Sequence, residues 1–176
     1  MGPGSSDGDV TALSDRPAFR GHIRLYRPDD VDALIDIFRA SVRQVARRDY
    51  SEEQVLAWAP DAIDRTGWVE QYAGRPAWVA EIEDRPVGFS DLEPDGHLDM
   101  MFVHPDHQGR GVASALLAEV ENAARHLGID CLHTEASITA RPFFERRGFQ
   151  LLAPQTVSLR GQRFINYRME KVLGLP

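Results

Sequence analysis

The stretch "HPDHQGRGVASALL", His104–Leu117, sets two glycines and an arginine between a proline-marked turn and a run of small and apolar residues at helical spacing. A helix opening there leaves its first N–H groups without intrahelical partners, and the aligned peptide dipoles add partial positive charge. An anion suits that place. Glycine at 109 and 111 removes side chains that would hold a phosphate away, and Ala113 and Ser114 keep the first turn lean. An ordinary strand-to-helix connection would also use glycine for a tight turn, so the pair alone leaves both readings open. The spacing is not a Walker loop, because no Gly-Lys-Ser/Thr follows, and it is not the Gly-x-Gly-x-x-Gly of a dinucleotide fold.

Outward from this stretch the chain alternates strand and helix signals. Leu116, Leu117, Val120, Ala123, Ala124 and Leu127 continue one helical face from Val112, and Gly128 supplies the stop. Before it, "PAWVAEIED" and "RPVGFSDLEP" read as a hairpin, and "HLDMMFVHP" as a further strand. Further upstream, "HIRLYRP" alternates as a strand and breaks at Pro28. Asp29 and Asp30 then sit where caps belong, and Val31, Leu34, Ile35 and Phe38 mark a first helix. Ser51 and Gln54 form a capping box that opens a second helix ended by Pro60, and "IDRTGWVEQYAG" fits a third, ending at Gly74. Downstream come a strand in "IDCLHTEA", a short helix in "TARPFFERRG", and β-rich runs in "FQLLAP" and "RFINYRMEKV". Residues 1–20, rich in Gly, Pro, Ser and Asp, read as a flexible tail, with residues 21–174 as a single domain.

A length of 176 residues suits one domain, and no apolar stretch is long enough to cross a bilayer as a helix. Twenty Lys and Arg against twenty-seven Asp and Glu give a net charge of −7. That balance disfavours a nucleic-acid binder, which needs a basic face, and favours a cationic or neutral small substrate. The single cysteine, Cys131, makes no internal disulfide, and the expected setting is a reducing cytoplasm without nucleic-acid or membrane partners.

The residues Gln108-Gly109-Arg110-Gly111-Val112-Ala113 resemble the acetyl-CoA signature Gln/Arg-x-x-Gly-x-Gly/Ala of the GNAT (GCN5-related N-acetyltransferase) family, with Val103-His104-Pro105 as the "V-x-P" before it. "ARPFFERRGF" is similar to the family's helix leading into a Gly-Phe strand, and "YSEEQVLAW", "LDMMFV" and "SITARPFFERRGF" are most like its bacterial YafP-like branch. The likeness spans about residues 22 to 172. It implies a mixed α/β fold whose mostly antiparallel central sheet is splayed at its middle and flanked by helices. It also implies acetyl transfer from acetyl-CoA to a primary amine of a small molecule or peptide, in a ternary complex and without a metal.

Carried over to these positions, the resemblance implies that backbone N–H groups from Gly109 to Ser114 hold the pyrophosphate. The pantetheine arm would lie against Met101, Phe102 and Val103, with an N–H near Phe102 or Val103 facing the thioester oxygen. Arg110 and Arg141 are the preferred partners for the outer phosphates, ahead of Arg146 and Arg147. An ammonium with a pKa of about 10 must lose a proton before it attacks. Asp99 is the preferred base or amine anchor, because an acid inside a β-run calls for explanation; the alternative is a structural carboxylate paired with an arginine. His97, two residues away in the expected strand, would share its face with Met101.

One departure stands out. Where many members carry a tyrosine that protonates the CoA sulfur, this chain has Phe144, and Ser137 stands where asparagine is common. Ser137, Tyr167 or water could supply the proton, with Ser137 preferred. Tyr50, Trp58 and Tyr72 are candidates to line the acceptor pocket, and Asp49 or Glu53 to attract a cation. Three other readings compete: an acetyl-CoA sensor without turnover, a metal hydrolase built on His97, Asp99, His104 and His107, and Cys131 as an acylated nucleophile.

Overall fold

The computed structural model describes residues 18–174, so most of the expected tail lies outside the described residues. Strand β1 (His22–Leu25) leads through a 3-10 turn at Pro28–Asp30 into helix α1 (Val31–Gln44). Asp30 does not cap the first-turn amides. Its carboxylate reaches back to the Arg27 N–H at 2.7 Å and grips Arg24 through both oxygens, tying the start of α1 to β1. Helix α2 (Glu52–Trp58) opens with the expected capping box, Gln54 N–H to Ser51 Oγ and Ser51 N–H to Gln54 Oε1. Helix α3 (Arg65–Tyr72) follows, its N-terminus capped by Asp64.

Strands β2 (Ala77–Ile82) and β3 (Arg85–Asp91) form the expected hairpin, closed by Glu83 and Asp84. β4 (Met101–Val103) pairs with β3, giving an antiparallel sheet in the order β1-β2-β3-β4. A second antiparallel sheet, β5-β7-β6, is built from β5 (Cys131–Ser137), β6 (Gln150–Leu159) and β7 (Gln162–Val172). β6 runs through Pro154 and beyond the expected "FQLLAP", because Arg160 and Gly161 make a two-residue turn that returns the chain into β7 in register. Among the described residues the two sheets meet at one parallel rung, His97 to His133.

That rung explains the short β4. The run "HLDMMFV" is not one strand: Leu98 donates its N–H to His133 C=O, whereas Met101–Val103 pair with β3. The segment between them crosses from one sheet to the other. Two buried hydroxyls hold it there, Thr134 Oγ1 on Leu98 C=O at 2.8 Å and Ser90 Oγ on Met100 C=O at 2.9 Å. Past the rung β4 and β5 part, and the sheet is splayed at its middle.

Helix α4 (Val112–His126) packs on one face of the first sheet, with Val112, Leu116, Leu117, Val120 and Ala124 buried; Leu127, expected on the same face, is exposed. Helices α1–α3 bury Leu34, Phe38, Val42 and Tyr72 around Val79 and Phe89 on the other. Gly88 in β3 permits the close seat of α4. A Cβ there would lie 3.0 Å from Val112 Cγ1 and 3.2 Å from Leu116 Cδ1, so the first turn of α4 presses directly on the sheet beside β4. Short α5 (Arg141–Arg146) links β5 to β6.

Candidate active site

Gly109 and Gly111 take φ of +72° and +77°, the left-handed region that an L side chain enters at a cost. Gly111 is the N-cap of α4, and the first helical bond runs from Ala115 N–H to Gly111 C=O at 3.0 Å. The amides of Val112, Ala113 and Ser114 therefore lie ahead of the helical ladder. Among the described residues none of them has a backbone acceptor, nor have the amides of Gly109, Arg110 and Gly111. This is an anion cradle made of main chain.

The cradle opens onto a cleft of ≈ 800 Å³ that continues along β4 between the parting sheets. Strand parity sorts β4. His104 N–H bonds Val87 C=O and Asp91 N–H bonds Met100 C=O, so the alternate residue between them, Phe102, turns its amide and carbonyl to β3. Met101 and Val103 present theirs to the open edge. The Val103 N–H, rather than that of Phe102, thus faces the cleft. Gln108 reaches back to the open edge and donates from Nε2 to Val103 C=O at 3.0 Å, joining the strand end to the glycine turn.

Two buried nitrogens on the cleft wall lack partners among the described residues, Arg147 Nε and His107 Nδ1. Arg147 also contacts Ser114 Oγ and lies over the Phe143 ring. Burial and the nearby Arg110 hold His107 below the ordinary imidazole range, which favours its neutral form. The expected pair of phosphate arginines is not on this wall. Arg141 bonds Glu145 Oε1 at 2.7 Å with its guanidinium 4.5 Å from the Tyr167 ring centre, and Arg110 does not line the cleft. Arg146 and Arg147 do. Free first-turn amides, an orphaned guanidinium nitrogen and an unpaired strand edge together fit a pyrophosphate joined to an amide-rich arm, as in CoA.

A second pocket of ≈ 270 Å³ meets this cleft. The two share Trp58, Met101, Phe102, Ser137, Ala140 and Phe144. Asp99 lines the second pocket from the crossing segment, and Tyr50 and Trp58 wall it as expected. Tyr72 does not; it is buried beneath α3 against Tyr26 and Trp68. Asp49 accepts a hydrogen bond from Thr139 Oγ1 instead of lining the pocket, and Glu53 does not line it either.

Asp99 is held from one side only. Gln71 Nε2 at 3.0 Å and Arg75 Nη2 at 3.1 Å both converge on Oδ2, and Oδ1 has no partner among the described residues. Arg75 is a buried cation that also meets Asp91 and Glu93, and sequence reasoning did not single it out: "AGRPAW" reads as a loop with no periodic signal. Asp91, fully buried, accepts the Met100 N–H at 2.8 Å; burial pushes its carboxyl up to about 7 against the opposing pull of that N–H and of Arg75. Asp99 is thus paired with an arginine through one oxygen, as the structural alternative foresaw, while the residue also lines the second pocket.

His97 and Asp99 flank the buried Leu98 and lie near enough for the Asp99 charge to act on the imidazole, whereas Met101 packs against the core beneath α4. His97 lies on the β5 side of the crossing, with Nδ1 2.7 Å from Glu93 Oε2, Nε2 2.5 Å from Glu135 Oε2, and its ring stacked on His133. Burial opposes its charge, but the two carboxylates raise its pKa above the ordinary value. His104 and His107 flank the turn at Pro105 and are not gathered with it, so the four-residue metal set is not assembled.

Ser137 stands where cleft and pocket join. Its Oγ accepts the Ala140 N–H at 3.0 Å, which leaves the hydroxyl hydrogen available to donate. Tyr167 lines neither space. Phe144 is 4% exposed and lines both, an apolar wall at the junction. Cys131 faces neither.

Residues 46–171 match the family model described as "Acetyltransferase (GNAT) domain". The chain belongs to the GNAT acetyltransferase family. It is 44% identical over 148 residues to YafP of Escherichia coli (strain K12), an uncharacterized N-acetyltransferase, covering 84% of this chain and 93% of that one. A GCN5-related N-acetyltransferase from Rhodopseudomonas palustris shares the fold at a TM-score of 0.83 and 38% identity, over 87% of this chain and 96% of the other. At 18% identity the PaiA N-acetyltransferase of Thermoplasma acidophilum, solved with coenzyme A, still superposes with a TM-score of 0.71 over 88% of this chain and 99% of its own. The protein is a GNAT N-acetyltransferase with acetyl-CoA as donor. The expectation of splayed, mostly antiparallel sheets with flanking helices is met.

Proposed function

We propose that residues 21–174 form one catalytic domain, working in the cytoplasm, that moves an acetyl group from acetyl-CoA directly to the primary amine of a small acceptor. The observation that carries this reading is the meeting of the two spaces at the open edge of β4, with Asp99 on the acceptor side and the α4 cradle on the donor side. Acetyl-CoA supplies the activated acyl group. The amides of residues 109–114, with Gln108 framing the turn and Arg147 at the wall, hold its phosphates, while Met101 and Val103 offer the strand edge to the arm.

Asp99 Oδ1 takes the proton from the acceptor ammonium, with Gln71 and Arg75 fixing the carboxylate through Oδ2. The neutral nitrogen then attacks the acyl carbon: the N–C bond forms and the C–S bond breaks. Val103 N–H donates to the acyl oxygen as charge builds there. The sulfur leaves with the bond pair and takes a proton from Ser137 Oγ, and the second proton lost by the attacking nitrogen passes through water to restore the hydroxyl. A thiol of pKa about 8.5 is a fair leaving group, so buried Phe144 in place of tyrosine is compatible with turnover.

Initial-velocity kinetics test the route. Amine-dependent thiol release with intersecting double-reciprocal lines is expected of direct transfer in a ternary complex. Parallel lines and an acetylated protein would instead point to a covalent intermediate.

A further inference from the structure

The acceptor pocket has a chemical signature of its own. Its side walls are rings: Tyr50 and Trp58 stand edge to face at 5.6 Å between centres, and Phe164 and Phe102 each lie 6.3 Å from Trp58. Val157 and Leu159 of the β6–β7 hairpin add aliphatic surface. Every ring is set by its neighbours, and Tyr50 is fixed further by its hydroxyl, which donates to Ile165 C=O and accepts Ile138 N–H. Such walls favour a flat apolar body.

The polar groups in the pocket lean one way. Asp99 Oδ1 is open, Glu135 is committed to His97 through Oε2 only, and Asn166 Oδ1 is buried without a partner among the described residues. All three offer acceptor oxygens, and the donors beside them, the Ser137 hydroxyl and the Asn166 amide, are neutral. Among the described residues no lysine, arginine or histidine lines the pocket, so no cation there neutralises a carboxylate or phosphate on the acceptor. Its ≈ 270 Å³ falls just below the range of about 300–1,000 Å³ usual for drug-sized ligands, which suits a group the size of one ring and a short tether.

We infer that the acceptor is a monoamine whose only charge is its ammonium and whose body is an aromatic ring on a short alkyl tether. This rests on the transferase reading above and narrows it. The ring slides between Trp58, Phe164 and Phe102. The ammonium turns toward Asp99 and Asn166, loses a proton to Asp99 Oδ1, and receives the acetyl group as the C–S bond of the donor breaks and the thiol departs. An α-carboxylate on the same molecule would be buried without a cation, and the site rejects it for that reason.

The decisive pair is 2-phenylethylamine and phenylalanine, which differ by that carboxylate alone. Thiol release from acetyl-CoA should give 2-phenylethylamine a kcat/KM higher by about a hundredfold. Over n-butylamine, which keeps the charge and loses the ring, the gain should be about tenfold. Leu159→Arg, which places a cation on the pocket wall, should narrow the phenylalanine gap by about tenfold while leaving acetyl-CoA affinity unchanged. As a readout apart from turnover, 2-phenylethylamine should quench tryptophan fluorescence in the wild type and lose that quenching in Trp58→Leu. Equal rates for the matched pair, or a preference for spermidine or a lysine peptide over 2-phenylethylamine, would overturn the acceptor class and leave the transferase reading standing. Acetyl-CoA binding with no thiol release from any amine would overturn both.

Discussion

The donor half and the acceptor half of this site are built from different materials. On the donor side the functional groups are main chain: amides ahead of the α4 ladder and the unpaired edge of β4. Side chains matter there by being absent or small, as at Gly109, Gly111 and Ala113. On the acceptor side they are side chains brought from α2 and the residue Tyr50 before it, the crossing segment, β4, β5, α5, β6 and β7. Main chain is written into sequence as local spacing, so one stretch of fourteen residues announces the donor half. Convergent side chains leave no such trace.

The comparison can be broken first at Asp99. Asp99→Asn keeps the shape and removes the base, so kcat/KM for amine should fall by about 10²- to 10⁴-fold with acetyl-CoA affinity unchanged; wild-type turnover would take Asp99 out of the chemistry. Gly111→Val attacks the other half. A β-branched residue at φ of +77° is strained and crowds the cradle, and titration should show acetyl-CoA binding weaker by about ten- to a hundredfold.

A sharper test separates two arginines that the sequence ranks in the opposite order. Arg147→Ala should raise the acetyl-CoA dissociation constant by about tenfold, as expected for a lost charge-assisted contact, and Arg141→Ala should leave it alone. If Arg141 proved the more important, the wall assigned to the phosphates would be the wrong one.

Asp91 reports on the scaffold between the halves. Its carboxyl, facing Arg75, Asp99, Glu93 and Tyr72, is raised to about 7 by burial, so between its unfolded value and pH 7 the folded state binds more protons than the unfolded chain. Its contribution to stability is therefore present at low pH and fades as pH rises through that window, by at most about 1.4 kcal/mol per pH unit. Chemical denaturation at pH 5 and pH 7.5 should show the decline in the wild type and flatten it in Asp91→Asn. The smallest expected effect is at Ser137. Ser137→Ala should slow kcat less than about tenfold, because the departing thiolate tolerates loss of its proton donor.

How far the sequence could be read follows the same division. Glycine turns, the Ser51 capping box, the β2–β3 hairpin and the α4 stripe are short-range patterns, and each appears where its residues placed it. Leu127 extends the apolar stripe by spacing but lies beyond the last turn that touches the sheet. "HLDMMFV" reads as one strand because its residues suit a β-run throughout; only the partners show that it changes sheets at Asp99. For the same reason strand parity counted from His97 fails at Met101, which packs against the core beneath α4. Arg75, Gln71 and Asn166 gave no signal at all, since each matters only through a neighbour distant in the chain.

The open edge of β4 has a consequence for solubility. An unpaired strand edge invites another chain to add to it, and proteins blunt such edges to escape aggregation. Here the exposed ladder is three residues long, stopped at one end by the Gln108 side chain on Val103 and at the other by the His97–His133 rung. A typical strand of about five or six residues finds too few partners there to register. A slim chain of one or two amides fits, and the edge that the chemistry needs is kept too short for a polypeptide to capture.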